Sequence, residues 1–496
     1  MPEVREFPAN TQHIHIMGVG GTAMAALAGL LVAKGYKVTG SDGNVVYPPM
    51  SDVLANIGIV PMVGYNKENL TVERPDLVIV GNVVRPTYEE AVYLVEESNI
   101  PYMSFPALLG AQFLNQTHNI VVAGTHGKTS TTSIGAWLLE AAGQHPGFLI
   151  GGAALNFDTT ARAAQTSAER KGFFIIEGDE YNTSFFDRQS PKFVHYRPHA
   201  AIITSVEFDH ADIYRDLEHC QEAFKKLVAK MPADGCLVVR GDHASVLECV
   251  VDPNCEVRRY GKEQEWDGRI DELHTERGSM TFSVLHKGKV VGTFESIMVG
   301  EHNLYNQVAL VAVMDFYGIP MDDLKEGFLT FKGIKRRQQV LGSPSSVMVI
   351  DDFAHHPTAI SLTLEGLKMR FGDRRLWAIF EPRSATSRRN TFQQQFAESF
   401  DHADIVVIAP AFNQSGIPKE ERLNVHNLIS DIRARGKEAF CWGDTPDTKM
   451  EWSSSDSATV IVQSICNNVQ PEDVVAILSN GGFGGIHQKL IAQLSS

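Results

Sequence analysis

Short apolar runs, each followed by a glycine-rich or acidic turn and then by a stretch of helical period, recur along almost the whole chain. Residues 14–17 (Ile-His-Ile-Met) predict a buried strand, a glycine turn follows, and a helix is expected from about residue 23 to residue 34, closed by Gly35. Further strands are expected at 36–39 and 77–80. The same grammar restarts at 119–123, with a loop, a helix over 129–142 stopped by Gly143, and strands at 173–176 and 201–204. This alternation predicts α/β units with mostly parallel sheets covered by helices on both faces.

Between about residues 235 and 300 the texture changes, and short runs at 280–284 and 289–291 predict a small antiparallel sheet on the second unit. A third unit opens at 346–350 and continues through 376–380, 405–408 and 474–478. Joints near 115 and 337 give three domains: a Rossmann-like 1–115, a central P-loop ATPase-like 116–337 carrying the antiparallel strands, and a Rossmann-like 338–496.

Composition narrows the function classes. A net charge of −15 argues against nucleic-acid and anionic-membrane partners, so a phosphate-bearing ligand has to be captured by local geometry. The six cysteines form no C-x-x-C pair, which fits reduced thiols rather than a zinc or redox motif. Residues 1–10 lack an apolar core and no apolar run is long enough for a membrane span, so a cytoplasmic location is expected.

The most informative segment is Val121-Val122-Ala123 followed by Gly124-Thr125-His126-Gly127-Lys128-Thr129-Ser130. A strand, a tight loop and a helix start place backbone N–H groups around an anion. Lys128 adds a point charge for the β- and γ-phosphates of ATP, and the Thr129 hydroxyl suits Mg²⁺. Acidic segments follow the next two strands, Glu177-Gly178-Asp179-Glu180 and Glu207-Phe208-Asp209-His210. Both fall at C-terminal strand ends, where open α/β sheets place their ligands.

A second glycine turn, Gly18-Val19-Gly20-Gly21-Thr22-Ala23-Met24, follows the first strand, and the next strand ends in Ser41-Asp42. A dinucleotide, another diphosphate-bearing nucleotide such as a UDP-sugar, and a ligand-free turn all remain open for it.

Taken together, these motifs resemble the Mur ligase family, in order and over nearly the whole chain. The resemblance adds Gly300-Glu301-His302-Asn303-Leu304-Tyr305-Asn306 as an adenine-side element, Arg337 at the hinge to the third domain, and Asp351-Asp352-Phe353-Ala354-His355-His356-Pro357-Thr358. It implies ATP and Mg²⁺, with Lys128, Glu177, His210, Arg337 and Asp352 as catalytic groups and Thr129, Glu177 and His210 as metal ligands. Gly18, Gly20, Gly21, Thr22, Ala23, Met24, Ser41 and Asp42 are similar to the UDP-sugar site of the branch that acts on UDP-N-acetylmuramate. Two segments, 380–386 (Phe-Glu-Pro-Arg-Ser-Ala-Thr) and 479–487, look like those of members that accept the murein tripeptide L-alanyl-γ-D-glutamyl-meso-diaminopimelate. His355, His356, Arg383, Ser384, Asn480, Gly482 and Phe483 are then the implied acceptor contacts. L-alanine as acceptor, a nicotinamide oxidoreductase and an ATP-gated binding protein are the competing readings.

Overall fold

Strand His13–Met17 is buried at every position, as its unbroken pairing demands. It lies parallel between Lys37–Asp42 and Leu77–Val80, with Met62–Val63 and Tyr102–Ser104 at the edges. The computed structural model describes residues 4, 6–47, 50–167, 171–188, 190–209, 213–441 and 454–496. Among these, three sheets follow one another along the chain.

The central sheet has ten strands. Thr117–Ala123 sits in its middle, parallel to Ala200–Ile203 on one side and Gly172–Gly178 on the other. The strand order reverses here, which opens a crevice beyond the carboxyl ends. Cys236–Arg240 and Glu256–Tyr260 extend the sheet in parallel. A single parallel contact, Tyr260 with Trp266, then hands the edge to the antiparallel strands Trp266–His274, Ser279–His286 and Lys289–Ser296. The predicted antiparallel segment therefore continues the central sheet instead of standing as a separate one. Phe282 and Phe294 pack their rings on Phe328 of helix Met321–Thr330, which fixes that extension to the domain.

The third sheet has Met348–Asp352, Val474–Leu478, Leu376–Phe380, Ile405–Ile408 and Glu438–Phe440 in parallel, with Gln339–Gly342 antiparallel at one edge. Its two faces carry separate apolar clusters, one around Ile350, Leu364 and Phe380, the other around Trp377, Ile477 and Leu490. The first and second domains, by contrast, share one continuous core. It runs from Ile14 and Leu31 through Leu108 into Tyr196, Phe224 and Val121. Gly110 makes that junction possible, because a Cβ there would lie 2.3 Å from the carbonyl oxygen of His195.

Two helix starts bear on the site. Pro357 opens helix Pro357–Phe371, where its missing N–H costs nothing, and His356 precedes it in extended conformation. Helix Glu301–Phe316 is buried on nearly all sides and runs from the central crevice into the core.

Candidate active site

The loop between strand Thr117–Ala123 and helix Lys128–Ala141 turns at two glycines, Gly124 (φ 137°) and Gly127 (φ 81°), where an L side chain would be strained. The neighbouring strand end clamps it. Thr125 N–H donates to the Ser205 carbonyl (3.0 Å), His126 N–H to Ser205 Oγ (3.0 Å), and Glu207 N–H to the Thr125 hydroxyl (2.8 Å). The turned amides and the helix N-terminus form an anion cradle.

Lys128 does not point freely into that cradle. Its Nζ lies 3.2 Å from Glu180 Oε2 and also donates to the Gly124 carbonyl. Burial works to lower its pKa, but the carboxylates of Glu180, Asp179 and Glu177 outweigh burial and raise it, so the ammonium stays charged. Next to it, the Thr129 hydroxyl donates to Glu177 Oε2 (3.1 Å), and Glu177 Oε1 accepts the Gly151 N–H (2.6 Å). Burial and then the neighbouring Asp179 charge push the Glu177 carboxyl up. A destabilised carboxylate beside a hydroxyl oxygen, at a phosphate loop, is a donor set that fits Mg²⁺, which takes few protein ligands. His210, the third expected metal ligand, lies outside the described residues.

The third domain closes over this loop. Arg337 Nη2 donates to Thr129 Oγ1 (3.4 Å), and its guanidinium stands 4.8 Å from the Phe353 ring. Asp352 accepts the N–H groups of Gln338 (2.7 Å) and Ala354 (2.8 Å), and burial raises its carboxyl against the pull of Arg337. Thr358 Oγ1 donates to Glu207 Oε2 (2.7 Å), and Thr386 Oγ1 to Asp209 Oδ1 (2.9 Å). Burial alone would raise Glu207, but His126, with help from Thr358, holds it down to about 2.

The cleft has a volume of about 290 Å³ and brings together Thr125 to Ser130, His302, Asn303, Asn306, Arg337, Asp352, His355 and His356. Asn303 is 2% exposed, and its amide donates to the Val299 carbonyl (2.9 Å), tying down the turn before helix Glu301–Phe316. Burial, and then the Arg240 charge, push the His302 imidazole down to about 4. Arg240 itself was missed by the sequence reading. It ends strand Cys236–Arg240, lines the cleft and stacks 4.0 Å from the Tyr305 ring. The signal was available, because a charged residue closing a central strand is the cue already used for Glu177.

The first glycine turn belongs to the first sheet and does not line this cleft. Gly20 N–H donates to Asp42 Oδ2 (3.0 Å), and Gly21 and Thr22 are exposed, with Ala23 half-buried in the first helical turn. Two of the expected sugar contacts are covered in this structure. Ser41 is fully buried, with its hydroxyl donating to Glu90 Oε1 (3.1 Å) beside His15, and Met24 is packed in the core. Both support the turn from beneath.

The expected acceptor residues divide similarly. His355 Nδ1 is 3.0 Å from the Phe353 carbonyl, and His356 is buried in the cleft. Arg383, Ser384, Asn480 and Gly482 lie outside the cleft lining. The Arg383 guanidinium stacks 3.9 Å from the Phe412 ring and is 3.5 Å from Glu381 Oε1, while the Ser384 hydroxyl engages Ser387. Gly481 lets this arginine pass, since a Cβ there would stand 2.2 Å from Arg383 Cδ. Phe483 is 1% exposed and packs in the core under the loop.

Comparison with known proteins gives three family matches along the chain: "Mur ligase family, catalytic domain" over residues 13–117, "Mur ligase middle domain" over 122–314, and "Mur ligase, glutamate ligase domain" over 336–481. The UDP-N-acetylmuramate–L-alanyl-γ-D-glutamyl-meso-2,6-diaminoheptandioate ligase of Haemophilus influenzae is 36% identical over 97% of this chain and 99% of its own. The UDP-N-acetylmuramate–L-alanine ligase of Desulfitobacterium hafniense is 30% identical over 97% of this chain and 99% of its own. Among solved structures, a murein peptide ligase from Psychrobacter arcticus superposes with a TM-score of 0.68 at 33% identity, covering 98% of this chain and 99% of that one.

Proposed function

Because the chain belongs to the Mur ligase family, we propose that it uses ATP and Mg²⁺ to join L-alanyl-γ-D-glutamyl-meso-diaminopimelate to the lactyl carboxylate of UDP-N-acetylmuramate. The observation that carries this reading is the convergence of Lys128, the Thr129–Glu177 pair and Arg337 on one phosphate cradle. The preference for a tripeptide rests on the closer match to the Haemophilus relative, at 36% against 30% for the alanine ligase, and on the segments at 380–386 and 479–487.

The chemistry begins with two anions that repel each other. The lactyl carboxylate attacks the γ-phosphorus, and ADP leaves to give an acyl phosphate. Lys128 releases Glu180 and turns its ammonium onto the phosphates, which offsets the charge that builds between them. Thr129 and Glu177 would hold Mg²⁺, which when bound would supply further positive charge at the phosphates. Arg337 and Asp352 position the hinge, so that the third domain keeps water from the acyl phosphate. The free amine of the peptide then attacks the acyl carbon, and phosphate leaves from the tetrahedral intermediate. His302 and Asn306 take the adenine side of ATP in this reading, and Arg383 exchanges Glu381 for a peptide carboxylate. The first glycine turn takes the UDP diphosphate through the N-terminus of helix Thr22–Ala33. The reaction runs in the cytoplasm, in keeping with six free cysteines and with the absence, among the described residues, of any helix long and apolar enough to cross a membrane.

The test is phosphate release from ATP with Mg²⁺ and UDP-N-acetylmuramate, comparing the tripeptide with L-alanine. Release driven by the tripeptide, with the ligated product seen by mass spectrometry, is the expected result. Release driven only by L-alanine would overturn the acceptor assignment and leave the ligase chemistry standing.

A further inference from the structure

A second constellation in the cleft is unused by this chemistry. His126 in the phosphate loop, Glu207 beyond strand Ala200–Ile203, and His356 ahead of helix Pro357–Phe371 converge from two domains. His126 Nε2 is 3.4 Å and His356 Nδ1 is 3.9 Å from the same oxygen, Glu207 Oε2. The two imidazole rings are 4.9 Å apart at 38°, and one donor atom from each of the three residues falls within 4.8 Å of the others.

The hydrogen bonding around these groups is incomplete. His356 is 5% exposed, and both of its ring nitrogens lack a hydrogen-bond partner, as does His126 Nε2. An unpartnered buried polar atom is unfavourable, and three of those in this structure meet at this one point. A simple His126–Glu207 ion pair would still leave the His356 ring unsatisfied. A cation among the three groups engages His126 Nε2, one His356 nitrogen and the Glu207 carboxylate at once.

The donor set identifies the class of cation. Two imidazoles and one carboxylate favour zinc-like divalent ions, whereas Mg²⁺ selects oxygen ligands. Tetrahedral bonds of about 2.0–2.1 Å place donor atoms about 3.3 Å apart. The two distances to Glu207 approach that spacing, and small side-chain rotations close the remainder. Thr358 donates to Glu207 Oε2 and so orients the carboxylate, as the outer groups of metal sites commonly do. Three protein ligands leave a fourth position facing the cleft.

We propose that His126, Glu207 and His356 form a site for a zinc-class divalent cation, separate from the Thr129–Glu177 set, that fastens the third domain over the phosphate loop. Because the ligands come from both sides of the cleft, the ion binds the closed form and stabilises it by mass action.

The test uses untagged, chelator-treated full-length protein titrated with Co²⁺ without nucleotide. One equivalent should give the visible absorption of a tetrahedral nitrogen–oxygen site, displaced by Zn²⁺ and not by a large excess of Mg²⁺. His126→Ala, His356→Ala and Glu207→Gln should each weaken binding on the order of 100-fold. Glu207→Gln preserves volume and gives the same readout should either histidine variant fail to fold. Absence of the tetrahedral band at one equivalent, or a band that survives Glu207→Gln, would overturn the site.

Discussion

Lys128 Nζ and Glu180 Oε2 stand 3.2 Å apart beneath the phosphate loop, with the lysine charged and largely withdrawn from solvent. The ammonium is therefore stored against a carboxylate and has to exchange that partner for a phosphate. Lys128→Ala should lower kcat on the order of 10²- to 10³-fold, the usual loss for a preorganised charge stabiliser. Phosphate release at saturating substrates measures it, and turnover near that of the unaltered protein would remove Lys128 from the reaction.

The acceptor side gives a prediction of a different kind. Arg383 is held by the Phe412 ring and Glu381 in a fixed orientation. Arg383→Lys keeps the charge and loses the planar fork, so KM for the tripeptide should rise about tenfold or more while kcat changes little. A fall in kcat with KM unchanged would place Arg383 elsewhere in the cycle.

Stability should fall on mild acidification. His302 and His356 titrate near about 4 in the folded chain, well below the ordinary 6.5, because burial disfavours their charged forms. Between 6.5 and 4 the unfolded chain binds protons that the folded chain refuses. Each histidine then removes about 1.4 kcal/mol per pH unit across that window, and none above it. Glu207 adds a separate loss from 4.5 down to about 2, since its native carboxylate resists protonation. Urea midpoints measured from pH 7.5 to 5 should decline, and His302→Gln should flatten the decline.

Two hydroxyls hold the third domain against the second. Thr386→Val leaves Asp209 Oδ1 without this donor, and Thr358→Val does the same to Glu207. Each change should weaken closure by about 1 kcal/mol, with a larger effect at the more buried Asp209. Small-angle scattering of the ligand-free double variant should give a larger radius of gyration. An unchanged radius would mean that other contacts, Arg337 with Thr129 among them, set the closed geometry.

The sequence was most legible where one short stretch carries both signal and function. The strands at 376–380, 405–408 and 474–478 fall where their apolar runs predicted, because a fully buried parallel strand leaves no alternation to misread. The phosphate loop is equally local. Met24, Ser41 and Phe483 could not be sorted by sequence, for one reason. A motif mixes residues that touch a ligand with residues that hold the turn, and only burial separates them. The meeting of His126 with His356 was out of reach for another reason. It depends on two domains closing, and no local period encodes that approach.

The closed cleft also sets a kinetic order. Thr358 and Thr386 engage across it, so their hydrogen bonds weight the balance between closed and open forms. If the open form makes up about one part in a hundred, the apparent nucleotide affinity is about a hundredfold weaker than the intrinsic one. A first substrate that binds the open form better would release that reserve for the second. By that arithmetic the interdomain hydroxyls would tune the order of substrate binding, adjustable by single substitutions at Thr358 and Thr386.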